Sequence, residues 1–190
     1  AGLLTLASQR NDHQRTAYRE LTAYVKQQNP KGRIFIVHRL DRDTSGVIVF
    51  AKNEHTKFAL QKGWHDVVEE RSYLAYVEGK VEKEEATLTS WLKETKTHQV
   101  YTTPHAEGAK KAVLHYKVVR TGSQFSLLKV ELETGRKNQI RVQLAEINHP
   151  IVGDKLYGAT GNPIGRLGLH ASVLSFKHPT TKELVRFEAP

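Results

Sequence analysis

Seven side chains in the stretch VHRLDRDTSGVIVF, which begins at Val37, carry groups that can bind or react: His38, Arg39, Asp41, Arg42, Asp43, Thr44 and Ser45. Apolar runs lie on either side, IFIV before and VIVF after. A solvated turn is one account, since Asp, Ser and Thr bond their own backbone in turns. An active site is the other. A carboxylate held at the end of a strand can attack carbon or phosphorus and so split one difficult step into two easier ones. The pair Asp41 and Asp43 also invites a metal.

The elements that would hold this stretch can be read from hydrophobic spacing. RIFIV and GVIVFAK are expected as two buried strands around it. Residues 16–27, TAYRELTAYVKQ, place Tyr18, Leu21 and Val25 at helical spacing, and Asn29, Pro30 and Gly32 then break the chain. Residues 54–69 are expected as a helix carrying Phe58, Trp64, Val67 and Val68, interrupted by Gly63. RSYLAYVEG alternates, with Tyr73, Ala75 and Val77 on one side and Leu74 and Tyr76 on the other. Residues 93–112, with Pro104, Gly108, Lys110 and Lys111, read as a long loop. AVLHYKVV and FSLLKVELE form a hairpin pattern joined at Thr121-Gly122-Ser123. NQIRVQLAEIN is helical, with Ile140, Leu144 and Ile147 on one face, Arg141 on its flank and His149-Pro150 at its end. GDKLYGATGNP is a glycine-rich loop, and LHASVLSF and LVRF close the chain. Strands arranged in hairpins argue for an α+β fold with a mixed, mostly antiparallel sheet flanked by helices and loops.

The totals narrow the chemistry. The chain has 190 residues, 38% of them hydrophobic, and carries no cysteine, which excludes disulfides and thiolate sites. A net charge of +9 and a pI of about 9.7 favour a polyanionic partner, because neutralised phosphates release counterions. No apolar run is long enough to span a bilayer, and no secretion signal opens the chain. It begins AGLLTLASQ, without Met, like the middle of something longer. The ten histidines show no pair at metal-ligand spacing on one helix. GDKLYGATG lacks the ending of a phosphate loop, and no serine sits in a GxSxG elbow.

Two resemblances meet at the opening stretch. DRDTS resembles the aspartyl phosphatases of the haloacid-dehalogenase type. However, Ser45 stands where they need Thr or Val, and VEKEEATL is a poor match to their later magnesium-holding acids. HRLDRDTSG is much closer to HRLDxxTSG, the signature of the RluA-like pseudouridine synthases. RSYLAYVEG resembles that family's tyrosine-bearing strand. EGAKKAVLHYKVV resembles its basic segment, and LETGRKNQIRVQLAEINHPIVGDKLYG its GRxxQIR…HPIxGDxxYG block. RLGLHASVLSFKHP and FEAP match its closing elements. The motifs span essentially the whole chain in the family's order.

The resemblance implies one catalytic domain over residues 1–190, without the small S4 RNA-binding domain and without the family strand that precedes this point. It implies isomerisation of a uridine in ribosomal or transfer RNA, with neither cofactor nor metal. The lack of cysteine is compatible with a reducing cytoplasm, the expected compartment, and a monomer is expected. It places the catalytic carboxylate at Asp41, as nucleophile or as base promoting a glycal. Arg141 is its expected ionic partner, Tyr73 stacks on the base, and Leu169 floors the site. Asp43 falls at a variable position and is expected to be a turn acid. Arg39 is expected to fill the space of a flipped-out base or to meet phosphate. His38, Lys110, Lys111, Arg136, Lys137, Asn138 and Gln139 are the other expected RNA contacts. The family's RTHQIRVH is RKNQIRVQ here, so Lys137, Asn138 and Gln143 depart from it. The alternatives are a catalytically silent RNA-binding domain and, further off, the magnesium phosphatase.

Overall fold

The computed structural model describes residues 2–6 and 15–190. They fall into two compact units, Ala1–Arg71 with Ala171–Pro190, and Ser72–His170.

In the first unit, α1 spans Ala17–Gln28. The hydroxyl of Thr16 caps it by accepting from the Arg19 N–H, and Glu20 and Lys26 lie at the ends the helix dipole favours. Tyr18, Leu21 and Val25 form its half-buried side, as their spacing requires. The two strands expected around the opening stretch are much shorter than the apolar runs suggest. β1 is Phe35–Ile36, β3 is Phe50–Ala51, and they pair antiparallel, Phe35 opposite Ala51 and Ile36 opposite Phe50. Between them lies β2, Ser45–Gly46. The apolar residues around these short strands serve packing more than ladders. Val37, Ala51, Leu60, Leu174 and Phe176 form a buried cluster, with Val47, Val49, Trp64 and Val67 packed on it. Each fully buried large side chain there contributes about 1.5–3 kcal/mol.

The helix expected over 54–69 is cut in two. α2, Glu54–Lys62, is capped by Asn53, and α3, Trp64–Val67, follows the break at Gly63. Leu60 faces the core, whereas Phe58 is 55% exposed, and Val68 already begins the next strand. β4 runs Val68–Glu78, β9 Leu169–Lys177 and β10 Leu184–Glu188. β9 pairs with β2 and, antiparallel, with β10. The boundaries between the units fall inside β4 and β9.

The second unit is built on an antiparallel sheet. Its further strands are β5 (Glu85–Glu94), β6 (Val100–Thr103), β7 (Lys110–Thr121) and β8 (Phe125–Leu132). The order is β4-β8-β7-β5-β6. The expected loop over 93–112 is therefore corrected. It contains the end of β5, a turn, all of β6 and the start of β7, because β6 is added antiparallel at the edge of β5. Polar TLTSWLKE and VYTT hide their strand character, since one face of the sheet is solvated. The other face is buried, with Tyr73 opposite Val130, Ala75 opposite Leu128 and Val77 opposite Ser126. α4, Gln139–Glu146, covers part of it. Val142 packs with Leu92, Val100 and Ala112. The buried Gln143 amide donates to the Leu88 and Ala112 carbonyls and to the Ser90 hydroxyl. The class is α+β, with few helices and a mostly antiparallel sheet. No helix among the described residues is long and apolar enough to cross a membrane.

Candidate active site

The first unit fixes the stretch around Asp41 at several points. The Thr44 N–H donates to the Asp41 carbonyl at 3.0 Å and closes a turn through Arg42 and Asp43. The Gly2 N–H donates to the Arg42 carbonyl at 2.9 Å, and the Thr5 hydroxyl reaches the Leu40 carbonyl at 3.5 Å. The Val47 N–H donates to the Ala171 carbonyl at 2.9 Å. Asp41 is half-buried, while Arg39 and Asp43 are exposed. The Thr44 hydroxyl is buried with no hydrogen-bond partner among the described residues.

His38 does something the sequence reading did not foresee. Its Nε2 accepts the Val49 N–H at 3.1 Å, so a side chain extends the β1–β3 ladder by one more bond. Its ring lies 4.9 Å from that of Trp64. Burial, with the Arg71 cation nearby, lowers its pKa to about 4. Neutral His38 thus clasps the base of the loop that carries Asp41.

This depressed pKa sets a pH dependence. Between about pH 6.5 and 4 the unfolded chain binds a proton at this ring and the folded chain does not. Stability is therefore fully present above the unfolded pKa and lost as pH falls toward the folded one, by roughly 3 kcal/mol at most. Urea melts of wild type and His38→Gln across that window should show a smaller slope in the variant. Equal slopes would remove the clasp from the account.

The second unit gathers residues that lie far apart in the sequence around the start of α4. Asn138 precedes the helix with φ 52°, a left-handed geometry that Asn tolerates. The buried Gln139 accepts from the Thr134 hydroxyl at 2.8 Å and the Arg136 N–H at 3.0 Å, and donates to the Val113 carbonyl at 3.0 Å. Arg136 Nε donates to the Lys111 carbonyl at 3.1 Å, which ties the exposed Arg136 to the exposed pair Lys110 and Lys111. Lys137 reaches the other way. Its Nζ donates to Glu94 at 2.6 Å and to the His98 carbonyl at 2.8 Å, fastening the β5–β6 turn. Hydrogen bonds from Lys137 and His98 hold the Glu94 carboxyl below its ordinary value. Of the expected RNA contacts here, Lys110, Lys111 and Arg136 present exposed charge. Lys137 and Gln139 are bonded within the protein.

Arg141 has a partner that spacing alone did not suggest. Its Nε and Nη2 donate to the two carboxylate oxygens of Asp154, both at 2.7 Å, in a parallel fork. Asp154 is 2% exposed. Breaking one side of such a buried pair costs about 3–5 kcal/mol. The signal was present in GDKLYG, where one Asp follows a glycine in a loop that closes on an arginine-bearing helix. Gly153 must be glycine: its φ is +76°, and a Cβ there would lie 2.5 Å from the Arg166 carbonyl oxygen. Tyr73 is 9% exposed on the buried face of β4, and Leu169 is 3% exposed as the first residue of β9. Among the described residues no three His, Cys, Asp or Glu gather as metal ligands.

The framework is α+β with a mostly antiparallel sheet, and it carries HRLD on an anchored turn and QIR on a helix. The model of the family described as RNA pseudouridylate synthase matches residues 5–146, so the chain belongs to that family. It is 38% identical to the uncharacterized RNA pseudouridine synthase YhcT of Bacillus subtilis, over all of this chain and 63% of the relative. It is 35% identical to ribosomal large subunit pseudouridine synthase D of Nitrosomonas europaea, over all of this chain and 57% of the relative. The chain thus spans less than two thirds of either. Human RNA pseudouridylate synthase domain containing 1 superposes with TM-score 0.72 at 26% identity, over 90% of this chain and 73% of the human chain. Human RNA pseudouridylate synthase domain containing 4 shares the fold, with TM-score 0.80 over all of this chain and 82% of the human chain.

Proposed function

We propose that the chain isomerises a uridine in structured RNA to pseudouridine, with Asp41 as the reacting carboxylate and Arg141 as its ionic partner. The observation that carries this reading is the family match, whose signature supplies an aspartate on a turn fastened at both ends. The reaction breaks the bond from uracil N1 to ribose C1′ and makes one from C5 to the same carbon. A proton leaves C5 and N1 gains one, so nothing is added or lost. Asp41 either attacks C1′ or removes a ribose proton to open a glycal; both need it ionised. A cation beside a half-buried carboxylate favours that state. Tyr73 stacks on the base, Leu169 bounds the pocket, and Arg39 supports the nucleotide after flipping, which costs a few kcal/mol of unstacking. Lys110, Lys111 and Arg136 meet phosphates and position the RNA. The excess of cations supports a polyanion partner. The relative from Nitrosomonas favours ribosomal RNA over transfer RNA as the target. Neither metal nor cofactor enters these steps, and the cytoplasm is the expected compartment.

The test is conversion itself. Purified protein is incubated with ribosomal and transfer RNA in the presence of EDTA, and pseudouridines are mapped at single-nucleotide level. A new pseudouridine at a defined site is expected. Binding without conversion would support the silent RNA-binding domain instead, and loss of activity with EDTA would oppose the metal-free reading.

A further inference from the structure

The guanidinium of Arg141 is held on more sides than an ion pair requires. Asp154 takes one edge through Nε and Nη2, both at 2.7 Å. Asn138 Oδ1 accepts from Nη1 at 3.2 Å. The ring of Tyr157 lies 5.0 Å from the guanidinium carbon. Asn138 also donates through Nδ2 to the Tyr157 hydroxyl at 3.1 Å, so ring and amide hold each other. Tyr157 belongs to a short 3-10 turn, Lys155–Tyr157, and packs beside Val142 and Val100.

The loop that brings Asp154 and Tyr157 is itself fastened. The Asp154 N–H donates to the Ile151 carbonyl at 2.9 Å, and the Tyr157 and Ala159 N–H groups both return to the Asp154 carbonyl at 3.1 Å. The Gly153 N–H donates to the Gly161 carbonyl at 2.9 Å. At the end of β4, the Glu78 carboxylate accepts from the Thr160 N–H at 2.8 Å, the Thr160 hydroxyl at 3.1 Å and the Gly161 N–H. The sequence therefore builds a clamp from β4 through the glycine loop to one arginine on α4.

We propose that Asp154 and Tyr157 are positioning residues for uridine isomerisation, acting through Arg141. This rests on the reading that Arg141 serves Asp41. A purely structural role does not call for this construction. Apolar side chains of similar volume commonly hold a core as well as a buried ion pair does. What they cannot do is fix the plane of a cation. Asp154 sets that plane, Tyr157 supports its face, and Asn138, where the family usually has His, links the two. Orientation matters because a displacement of about 1 Å at a reacting centre costs on the order of a hundredfold in rate.

The experiment measures single-turnover and steady-state kinetics on the RNA target for Tyr157→Phe, Tyr157→Leu and Asp154→Asn, with melting curves for each. Tyr157→Phe keeps the ring and should lose only severalfold in kcat. Tyr157→Leu should lose about 10–100-fold, and Asp154→Asn at least as much, with KM within about twofold, because orientation rather than RNA binding is removed. Arg141→Ala should regain part of its rate with added guanidinium, and Arg141→Ala/Asp154→Asn should not. Folded Tyr157→Leu protein with wild-type kcat would overturn the proposal, as would a loss confined to KM or equal guanidinium rescue in both backgrounds. Asp41→Asn keeps the two readings apart. If that variant is inactive while Tyr157→Leu is fully active, only the positioning proposal fails. If Asp41→Asn is active, the underlying assignment fails.

Discussion

Replacing Asp41 by Asn should abolish pseudouridine formation while leaving RNA binding intact. Asn has the same shape but cannot attack C1′ or take a ribose proton, so the expected loss is about 10⁴-fold or more, equivalent to roughly 5.5 kcal/mol at 1.36 kcal/mol per tenfold. The loop should survive the change, because its turn is closed by the Asp41 backbone carbonyl and not by the carboxylate. Binding should not weaken either. Removing one negative charge from a surface that meets polyanionic RNA leaves affinity unchanged or raises it slightly at low salt. Asp43→Asn is the matched control. That side chain is exposed, two residues away, and its removal should leave conversion near wild type. Undiminished conversion by Asp41→Asn in a quench time course would end the assignment. So would parallel loss of conversion and binding in a variant whose melting curve matches wild type, which would make Asp41 a binding residue instead.

The order of elements was legible where one physical signal dominated. Helical spacing of Tyr18, Leu21 and Val25 gave α1 to within a residue at each end, because cap and breakers agree with the pattern. The β7–β8 hairpin followed from two apolar strands around Thr121-Gly122-Ser123. β5 and β6 were hidden, because a sheet solvated on one side needs few apolar residues and TLTSWLKE supplies mostly polar ones. The apolar runs flanking Asp41 misled in the opposite direction. They pack a core around two-residue strands instead of forming long ladders. The candidate site divides in the same way. Asp41, Tyr73 and Arg141 were legible as family motifs, not from spacing. Asp154 and Tyr157 were legible only as members of the GDKLYG motif; their contacts with Arg141 were not, since that partner lies on another element. His38 reads as an RNA contact within the HRLD motif. Only the backbone geometry shows that it accepts from Val49.

Gly46→Ala should be among the most destabilising single methyl additions in the first unit. Gly46 has φ +114°, where an L side chain is strained by about 1–3 kcal/mol. Its Cβ would stand 2.1 Å from the Ala171 carbonyl oxygen, 2.6 Å from the carbonyl carbon and 2.7 Å from the nitrogen. All three are backbone atoms of β9 and cannot rotate away, so the β2–β9 pairing must open and the Val47 bond to Ala171 goes with it. Together these costs come to about 3–5 kcal/mol, which for a chain of this size lowers Tm by roughly 10 °C. Gly158→Ala separates the two causes. Its φ is +91°, yet nothing lies within 4 Å of the added carbon, so it should show only the strain, about 1 kcal/mol. If the two variants melt together, close strand approach is not what fixes the loop. If Gly46→Ala falls well below Gly158→Ala and loses conversion while still folded, the anchor five residues beyond Asp41 is part of what holds that carboxylate in place.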